Sequence, residues 1–287
     1  MIIDGNTRTC GLLGNPVSHT LSPLIHNTLA SRMGVQLAYV PFLVKEDLEA
    51  AVKGAYALNL LGLNVTVPYK SEVIPHLASC DPLARQIGAV NTLVRQEHGF
   101  RGYNTDISGL YRAMISDGVF TKGQDIILLG AGGAARAAAF LCAHYGAHGV
   151  YLMNRSRQKA QALAQAVNDY AGKECVIPLG LEEYDALPRK RMLCIQATSV
   201  GLDSKKAITE DRGFYEYVQT GYDLVYQPFR TRFMELTEEA GGRAFNGLKM
   251  LLYQGVEAFE LWNHCKVPRE LAEELYDHLK EVMGIHE

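Results

Sequence analysis

Short apolar runs alternate with helical patterns along the first hundred residues. Apolar or β-branched runs occupy residues 10–14, 38–43 and 64–70, whereas residues 22–33 and 45–58 have the residue spacing of helices. Alternation of strand and helix at this spacing is typical of parallel strands with helices packed on the faces of a sheet. We therefore predict an α/β arrangement for this part of the chain.

A second series of the same kind begins with the continuous apolar run at residues 125–129. A glycine-rich turn and an alanine-rich helix follow it, and further strands are predicted at 150–153, 192–197 and 222–226. Residues 251–283 have an apolar face at helical spacing. The chain therefore contains two α/β series and ends in helices.

The order of these elements predicts an α/β protein of two domains. We expect residues 1–106 and 239–287 to form an α/β domain with a mainly parallel sheet, to which the C-terminal helices return. We expect residues 107–238 to form a Rossmann-like, doubly wound domain. A chain of 287 residues is long enough for two cores.

Composition and charge exclude several classes of protein. The net charge of −3, with 48% hydrophobic and 21% charged residues, provides no field that would attract nucleic acid or an anionic membrane. Six scattered cysteines and nine histidines lack metal-ligand spacing, so we expect reduced thiols and no bound metal. The sequence shows no targeting segment or membrane span, and we expect a cytoplasmic protein.

A glycine motif directly after the strand at 125–129 predicts a dinucleotide site. Gly130 permits a tight turn, Gly132 lets the backbone approach a pyrophosphate, and the small Ala135 lets helix and strand pack closely. The candidate cofactor-binding residues here are Gly130, Ala131, Gly132, Gly133 and Ala134. The alternative is a merely tight turn between strand and helix.

The segment after the next strand carries basic residues where NAD-binding proteins usually have an acid. It begins at Asn154 and includes Arg155, Ser156 and Lys159. Guanidinium and ammonium groups bind a 2′-phosphate, whereas a carboxylate would repel it. These residues therefore predict NADP (NADPH) as the cofactor, with NAD as a weaker second possibility. The alternative is a solvated basic start of a helix.

Polar residues at the ends of two early strands predict a second site. Lys70 follows Pro68 at the end of the third apolar run, and its amine carries a proton at neutral pH. Thr20 and Ser22 precede the helix that starts near Pro23, where two hydroxyls and free N–H groups can converge on one anion. The alternative for Ser22 is a simple helix cap.

Six sequence blocks together resemble the shikimate dehydrogenase family. In chain order they are Gly14-Asn15-Pro16-Val17-Ser18-His19-Thr20-Leu21-Ser22-Pro23, Asn64-Val65-Thr66-Val67-Pro68-Tyr69-Lys70, Gly88-Ala89-Val90-Asn91-Thr92, Tyr103-Asn104-Thr105-Asp106, Gly130-Ala131-Gly132-Gly133-Ala134 and Asn246-Gly247-Leu248-Lys249-Met250. The blocks fall in the family's order. They extend from residue 14 to Gln254, so the resemblance covers nearly the whole chain.

The resemblance implies NADP-dependent, reversible reduction of 3-dehydroshikimate to shikimate, a step of aromatic amino acid biosynthesis. It implies that residues 1–106 and 239–287 bind the substrate and that residues 107–238 bind NADP. The implied catalytic residues are Lys70 and Asp106; the substrate contacts are Thr20, Ser22, Thr66, Asn91, Tyr226 and Gln254; further cofactor contacts are Asn154, Leu224, Gly247 and Met250.

Three alternatives remain open. The first is a quinate/shikimate dehydrogenase that uses both NAD and NADP, the second a sensor of pathway metabolites without turnover, and the third a folate-type or amino-acid dehydrogenase of similar layout. The chain departs from the family's usual residues at Thr20, Lys159, Gln196, Asn246 and Lys249. We expect a small-molecule substrate, no nucleic acid or membrane partner, and either a monomer or a homodimer.

Overall fold

The structure is a computed structural model that describes residues 3–202 and 205–285. It divides into two compact units. Unit 1 comprises Met1–Gly109 and Leu251–Glu287, and unit 2 comprises Leu110–Met250. The ten α-helices assigned in the described residues are α1 Ser22–Arg32, α2 Leu48–Ala57, α3 Pro82–Ile87, α4 Thr105–Ser116, α5 Gly133–His144, α6 Arg157–Ala171, α7 Arg212–Tyr215, α8 Arg232–Glu239, α9 Leu248–Asn263 and α10 Arg269–Val282.

Unit 1 contains a six-stranded sheet with strand order β2-β1-β3-β5-β6-β4. The strands are β1 Arg8–Gly14, β2 Leu37–Leu43, β3 Gly62–Val65, β4 Ser79–Cys80, β5 Thr92–Gln96 and β6 Gly99–Tyr103. β1 pairs in parallel with β2 and β3, and β4 pairs in parallel with β6. Only β5 runs against its neighbours β3 and β6 among these strands. The sheet is mainly parallel, as predicted.

Two details of unit 1 differ from the sequence prediction. The third strand was expected to run to Lys70, but β3 ends at Val65, because the backbone turns at Thr66 and Tyr69 N–H donates to the Thr66 carbonyl at 3.0 Å. Pro68 has no N–H to continue a ladder. The antiparallel hairpin of β5 and β6 was not predicted, because Leu93 and Val94 form too short an apolar run to stand out.

Unit 2 contains a second six-stranded sheet, which is parallel throughout the described pairings. Its strands are β7 Asp125–Leu129, β8 Gly149–Met153, β9 Val176–Leu179, β10 Met192–Gln196, β11 Val218–Asp223 and β12 Arg243–Phe245. The strand order is β9-β8-β7-β10-β11-β12. This is the 3-2-1-4-5-6 order of a doubly wound dinucleotide-binding sheet, and the predicted Rossmann-like fold is confirmed.

The core of unit 2 explains why its central strands lack alternation. All five side chains of β7 are buried, because helices cover both faces of a parallel sheet. Helix α5 contributes Ala135, Ala138 and Phe140, none of which has measurable exposure. The small alanines allow the helix to lie close to the sheet.

The boundaries of the two compact units differ by several residues from the ranges expected for the two domains. The chain divides after Gly109 and after Met250, rather than after residues 106 and 238. Residues 243–245 stay with unit 2 because β12 pairs with β11. Among the described residues, no helix combines the length and apolarity that crossing a bilayer requires.

Candidate active site

A polar cluster in unit 1 is centred on the carboxylate of Asp106. Its Oδ2 accepts a hydrogen bond from the Lys70 amine at 2.7 Å, and its Oδ1 accepts from the Asn91 amide at 2.9 Å. The side chains of Lys70 and Asp106 are 32% and 17% exposed, so the ion pair is partly shielded from water but still accessible. An amine held in this way is oriented to transfer a proton to a group bound beside it.

The orientation of Asn91 follows from its other partners. Its Oδ1 accepts from the Thr105 N–H at 2.7 Å, from the Thr105 hydroxyl at 3.2 Å and from the Thr92 hydroxyl at 3.3 Å. Because donors surround the oxygen, the NH₂ group must face the Asp106 carboxylate. Asn91, Thr92 and Thr105 are distant from Lys70 in sequence. Together they fix the Asp106 carboxylate, which accepts from the Lys70 amine.

The backbone of Lys70 is held by its neighbours. Its carbonyl accepts from the Val90 N–H at 2.7 Å, and the buried Tyr69 beside it donates its hydroxyl to the Val44 carbonyl at 2.9 Å. The turn after β3 is thus fastened on both sides, although it contains no regular structure. These contacts place Lys70 at the sheet edge, and none of them involves its side-chain amine.

Strand direction explains why these residues meet. β1, β3 and β6 run the same way, so the segments that follow them share one edge of the sheet, and Asn91 precedes the antiparallel β5 at that edge. The chain passes from β1 to β2 on one side and to β3 on the other. Ligands of open α/β sheets bind at such a switch point, beyond the carboxyl ends of the strands.

Thr20 and Ser22 lie at the same edge, after β1. The Thr20 hydroxyl accepts from the Ser22 N–H at 3.1 Å. Helix α1 has Leu21 at its cap position and no side-chain cap, so the alternative in which Ser22 caps the helix is wrong. Ser22 is instead the first helical residue. The Ser22 N–H is already bonded to Thr20 and Pro23 has no N–H, so among the described contacts of this first turn the Leu24 N–H is the one left for an anion.

Sequence reasoning missed a buried hydrogen-bonded chain behind this edge. The Tyr39 hydroxyl donates to Asn64 Oδ1 at 2.7 Å, and Asn64 Nδ2 donates to the Thr92 hydroxyl at 3.0 Å. Burial raises the pKa of Tyr39 well above its usual value, while a hydrogen bond with Ser22 opposes that shift. Burial lowers the pKa of the stacked His26 to about 3, so this ring is neutral. The only sequence signal was the polar Asn64 inside an apolar strand.

Two further predicted substrate contacts lie in unit 1. Thr66 follows β3, and its methyl group would lie 2.3 Å from a Cβ placed on Gly14, so the neighbouring strand must have glycine there. Gln254 is buried on α9 beside α4: a Cβ on Gly109 would lie 2.5 Å from the Gln254 backbone nitrogen. Gly109 is three residues after Asp106, hence on the same face of α4.

A cavity of about 760 Å³ in unit 2 lies at the carboxyl ends of its central strands. Loops after β7, β8, β10 and β11 form its walls. The lining residues are Gly130, Ala131, Gly132, Gly133, Ala134, Asn154, Ala197, Thr198, Ser199, Leu202, Leu224, Val225, Tyr226 and Gln227. The cavity occupies the switch point between β7 and β10, where a dinucleotide binds in this topology.

The glycines have the roles that their spacing predicted. Gly130 has a φ of +109°, and a Cβ there would lie 2.8 Å from the Thr198 side chain, so glycine is required. A Cβ on Gly132 or Gly133 would meet nothing within 4 Å, which leaves the backbone open to a ligand. Helix α5 starts at Gly133 without a side-chain cap, so its first N–H groups face an anion site.

The basic segment after β8 divides into paired and unpaired side chains. Arg157 forms an ion pair with Glu183, whereas Arg155 and Lys159 are exposed and have no side-chain ion pair among residues 3–202 and 205–285. The Ser156 hydroxyl caps α6 by accepting from the Lys159 N–H at 3.4 Å. Asn154 lines the cavity and donates to the Ser156 carbonyl at 2.9 Å.

The remaining predicted site residues lie in unit 2. Leu224 and Tyr226 line the cavity, just beyond β11, which ends at Asp223 rather than at residue 226 as predicted. Gly247 packs on this loop: its N–H donates to the Val225 carbonyl at 3.0 Å, and a Cβ would lie 2.2 Å from the Leu224 oxygen. Met250 is the last residue of unit 2.

The geometry thus presents a proton-transfer cluster and a dinucleotide-type cavity. Residues 12–93 match a domain described as the shikimate dehydrogenase substrate binding domain, and residues 247–275 match the shikimate 5′-dehydrogenase C-terminal domain. A shikimate dehydrogenase (NADP(+)) of Desulforamulus reducens is 41% identical over 275 residues, which cover 93% of each chain. The chain belongs to the shikimate dehydrogenase family.

Solved structures of this family have the same fold. Shikimate 5-dehydrogenase of Thermus thermophilus, in complex with NADP(H) and shikimate, is 33% identical with a TM-score of 0.82, covering 95% of this chain and 99% of that one. Quinate dehydrogenase of Corynebacterium glutamicum, in complex with NAD, is 26% identical with a TM-score of 0.86, covering 96% and 99%. The chain is therefore an oxidoreductase, and sequence recognition of the family is confirmed.

Proposed function

We propose that this protein reversibly reduces 3-dehydroshikimate to shikimate with NADPH, within aromatic amino acid biosynthesis. The observation that carries the proposal is the Lys70 amine, held at 2.7 Å from Asp106 at the switch point of the unit 1 sheet. Ketone reduction needs one proton for the oxygen that becomes a hydroxyl, and the cluster supplies one oriented donor.

Lys70 is the proposed acid in the reductive direction. Its ammonium gives a proton to the carbonyl oxygen as negative charge develops there, and Asp106 keeps the amine pointed at that oxygen. In the oxidative direction the neutral amine takes the proton back from the substrate hydroxyl. Asp106 also faces the Asn91 amide, so the same group can fix a ring hydroxyl beside the reacting carbon.

The substrate carboxylate is proposed to bind at the start of α1. Thr20 and Ser22 contribute hydroxyls, and the helix contributes the Leu24 N–H and the positive end of its dipole. Thr66, Asn91 and Gln254 are proposed to contact the ring hydroxyls, and Tyr226 is proposed as a further substrate contact. The roles of these residues remain predictions of the family resemblance.

The residues of unit 2 fit NADP. NADPH supplies the hydride when bound. Gly130 to Ala134 offer open backbone at the start of α5 for the pyrophosphate, and Arg155 and Lys159, which form no ion pair with another described residue, offer two exposed cations for a 2′-phosphate. Leu224, Gly247 and Met250 are proposed to lie along the nicotinamide. NAD, which lacks the 2′-phosphate, is proposed as the weaker cofactor.

Product analysis tests this proposal. We expect the purified chain to convert 3-dehydroshikimate and NADPH into shikimate, identified by mass and by its proton spectrum, and to form NADPH from shikimate and NADP⁺. Binding of shikimate without turnover in either direction would show a sensor rather than an enzyme of this step. Preferential oxidation of quinate with NAD⁺ would assign the chain to the quinate/shikimate group.

A further inference from the structure

Asp223, at the end of β11, is a fully buried carboxylate that no proposed catalytic step uses. Its Oδ1 accepts from the Val225 N–H at 3.0 Å and from the Gln196 amide at 3.2 Å. Its Oδ2 accepts from the Thr231 hydroxyl at 2.6 Å. A carboxylate can accept on both oxygens in this way, whereas an amide side chain has a single acceptor oxygen.

The three partners of Asp223 lie at the end of β10, in the loop after β11, and at the end of that same loop, where α8 begins. Val225 lies in the loop after β11, where it lines the dinucleotide cavity. Gln196 ends β10, and its Oε1 accepts from the N–H of Thr198, which lines the same cavity, at 2.6 Å. Thr231 stands at the N-cap of α8. The carboxylate therefore joins two loops of the cavity wall to the start of a helix.

A short turn in the segment after β10 lies next to the carboxylate. A Cβ placed on Gly201 would lie 3.4 Å from Asp223 Oδ2, and the turn Val200–Leu202 ends with a residue that lines the cavity. This gives a reason for the departure at Gln196, where the family usually has asparagine. The glutamine is long enough to hold the Thr198 backbone with its oxygen and Asp223 with its nitrogen.

Stability alone does not explain a charge at this position. Burial raises the pKa of Asp223 to about 6, against its three hydrogen bonds, so folding disfavours the ionised form. Neutral residues of similar volume often replace buried charges without loss of stability. An amide at this position has a single acceptor oxygen, so it cannot accept from Val225 and Gln196 on one side and from Thr231 on the other.

We propose that Asp223 is a positioning residue for the dinucleotide cofactor, acting through Val225, Gln196 and Thr231 to fix the wall of the cavity after β10 and β11. Asp223 itself is not proposed to contact the cofactor. The inference rests on the proposed function only in taking the unit 2 cavity as the NADP site. It assigns no part in proton transfer to Asp223.

Two buried threonines near α8 provide a matched test. Thr231 and Thr237 both have 0% exposure, but the Thr231 hydroxyl donates to Asp223, whereas the Thr237 hydroxyl donates to the Phe233 carbonyl within the helix. We would compare Thr231→Val, Thr237→Val and Thr231→Ser, with Asp223→Asn as a fourth variant. NADP⁺ binding would be measured by calorimetry and folding by urea unfolding.

We expect Thr231→Val to weaken NADP⁺ binding about tenfold, the loss typical of removing one partner of a buried charge. Thr237→Val should change it less than about twofold at a comparable shift of the urea midpoint, and Thr231→Ser should restore binding. Asp223→Asn should weaken binding less than Thr231→Val, because its oxygen still accepts from Val225 and Gln196. In turnover, KM for NADP⁺ should rise and KM for shikimate should not.

Equal losses of NADP⁺ affinity in the two valine variants, or no loss in either, would overturn the proposal. Failure of Thr231→Ser to restore binding would do the same. A parent protein that binds NADP⁺ but does not oxidise shikimate would refute the proposed function while leaving this test intact. A parent that does not bind NADP⁺ would refute both.

Discussion

The polar cluster around Asp106 and the cavity of unit 2 are built in opposite ways. In the cluster, residues from three separated parts of the sequence fix one another through hydrogen bonds to Asp106 and Asn91. The cavity is lined by short continuous segments such as 130–134, where Gly132 and Gly133 leave the backbone open. One site is organised by side chains, the other by the fold.

This difference predicts that one site controls the reaction rate and the other controls the affinity for the cofactor. The Lys70 amine already has its carboxylate partner, so its position does not depend on a bound ligand. Arg155 and Lys159 are exposed, and among the described residues neither has a side-chain ion pair. We therefore expect substitutions in the cluster to affect the rate, and substitutions in the basic segment to affect cofactor affinity. The following substitutions test whether the reaction rate and the cofactor affinity change separately.

The largest effect is expected at Lys70. Lys70→Ala should lower kcat by about 10² to 10⁴, the range supplied by a general acid, with little change in KM. Steady-state assays with shikimate and NADP⁺ measure it. Lys53→Ala is the matched control, because Lys53 also forms an ion pair with a carboxylate, Glu49, in unit 1, but at an exposed position. A loss confined to KM would make Lys70 a binding residue.

The next effect concerns the pH dependence of folding. The pKa of Asp223 is about 6 in the folded protein and 3.8 for the ordinary group, so its charge costs stability above pH 6 and nothing below pH 4. When the carboxyl is ionised in both the folded and the unfolded protein, the free energy of unfolding is lower by at most about 3 kcal/mol. The urea stability of Asp223→Asn relative to the parent should therefore increase by about 1 kcal/mol or more from pH 5 to pH 8. A constant difference over that range would contradict a raised pKa.

Arg155 tests the affinity side of the comparison. Arg155→Ala should raise KM for NADP⁺ by about 10-fold or more and leave KM for NAD⁺ nearly unchanged, because only NADP⁺ carries the 2′-phosphate. The control is Arg157→Ala, two residues along, whose guanidinium is already paired with Glu183. Equal increases for both cofactors would show that Arg155 does not bind the phosphate.

The smallest effect is expected at Thr20. Quinate has one more hydroxyl than shikimate, at the tetrahedral carbon that bears the carboxylate, and the Thr20 methyl should crowd it. We expect kcat/KM to favour shikimate by about 10 to 200-fold, with Thr20→Ser narrowing that ratio. The alternative is that the methyl packs into the fold and only the hydroxyl meets the carboxylate. An unaltered ratio in the variant would then remove Thr20 as the cause.

The unit 2 site could be predicted because its signals are local. The run at β7, Gly130 and the basic residues after β8 lie within thirty or so residues, and backbone geometry alone gives them their roles. The doubly wound fold follows from the same segment. The strand β9, the end of β11 at Asp223 and the pairing of β12 needed the structure.

The unit 1 site could be predicted only in part. Lys70 and Asp106 were identified through sequence blocks, but no local pattern shows that Asn64 links Tyr39 to Thr92. Such contacts depend on the pairing of β3 with the unpredicted strand β5. The same limit applies to Asp223, whose partners are separated in sequence but adjacent in the sheet.

Rate measurements with two substrates and two cofactors separate the proposed function from its alternatives. The quantity is kcat/KM of the purified protein for shikimate and for quinate, each with NADP⁺ and with NAD⁺. We expect shikimate with NADP⁺ to give the highest of the four values, with quinate lower by about 10 to 200-fold and NAD⁺ the poorer cofactor for both substrates. No turnover in any combination, or a highest value for quinate with NAD⁺, would contradict the proposed function.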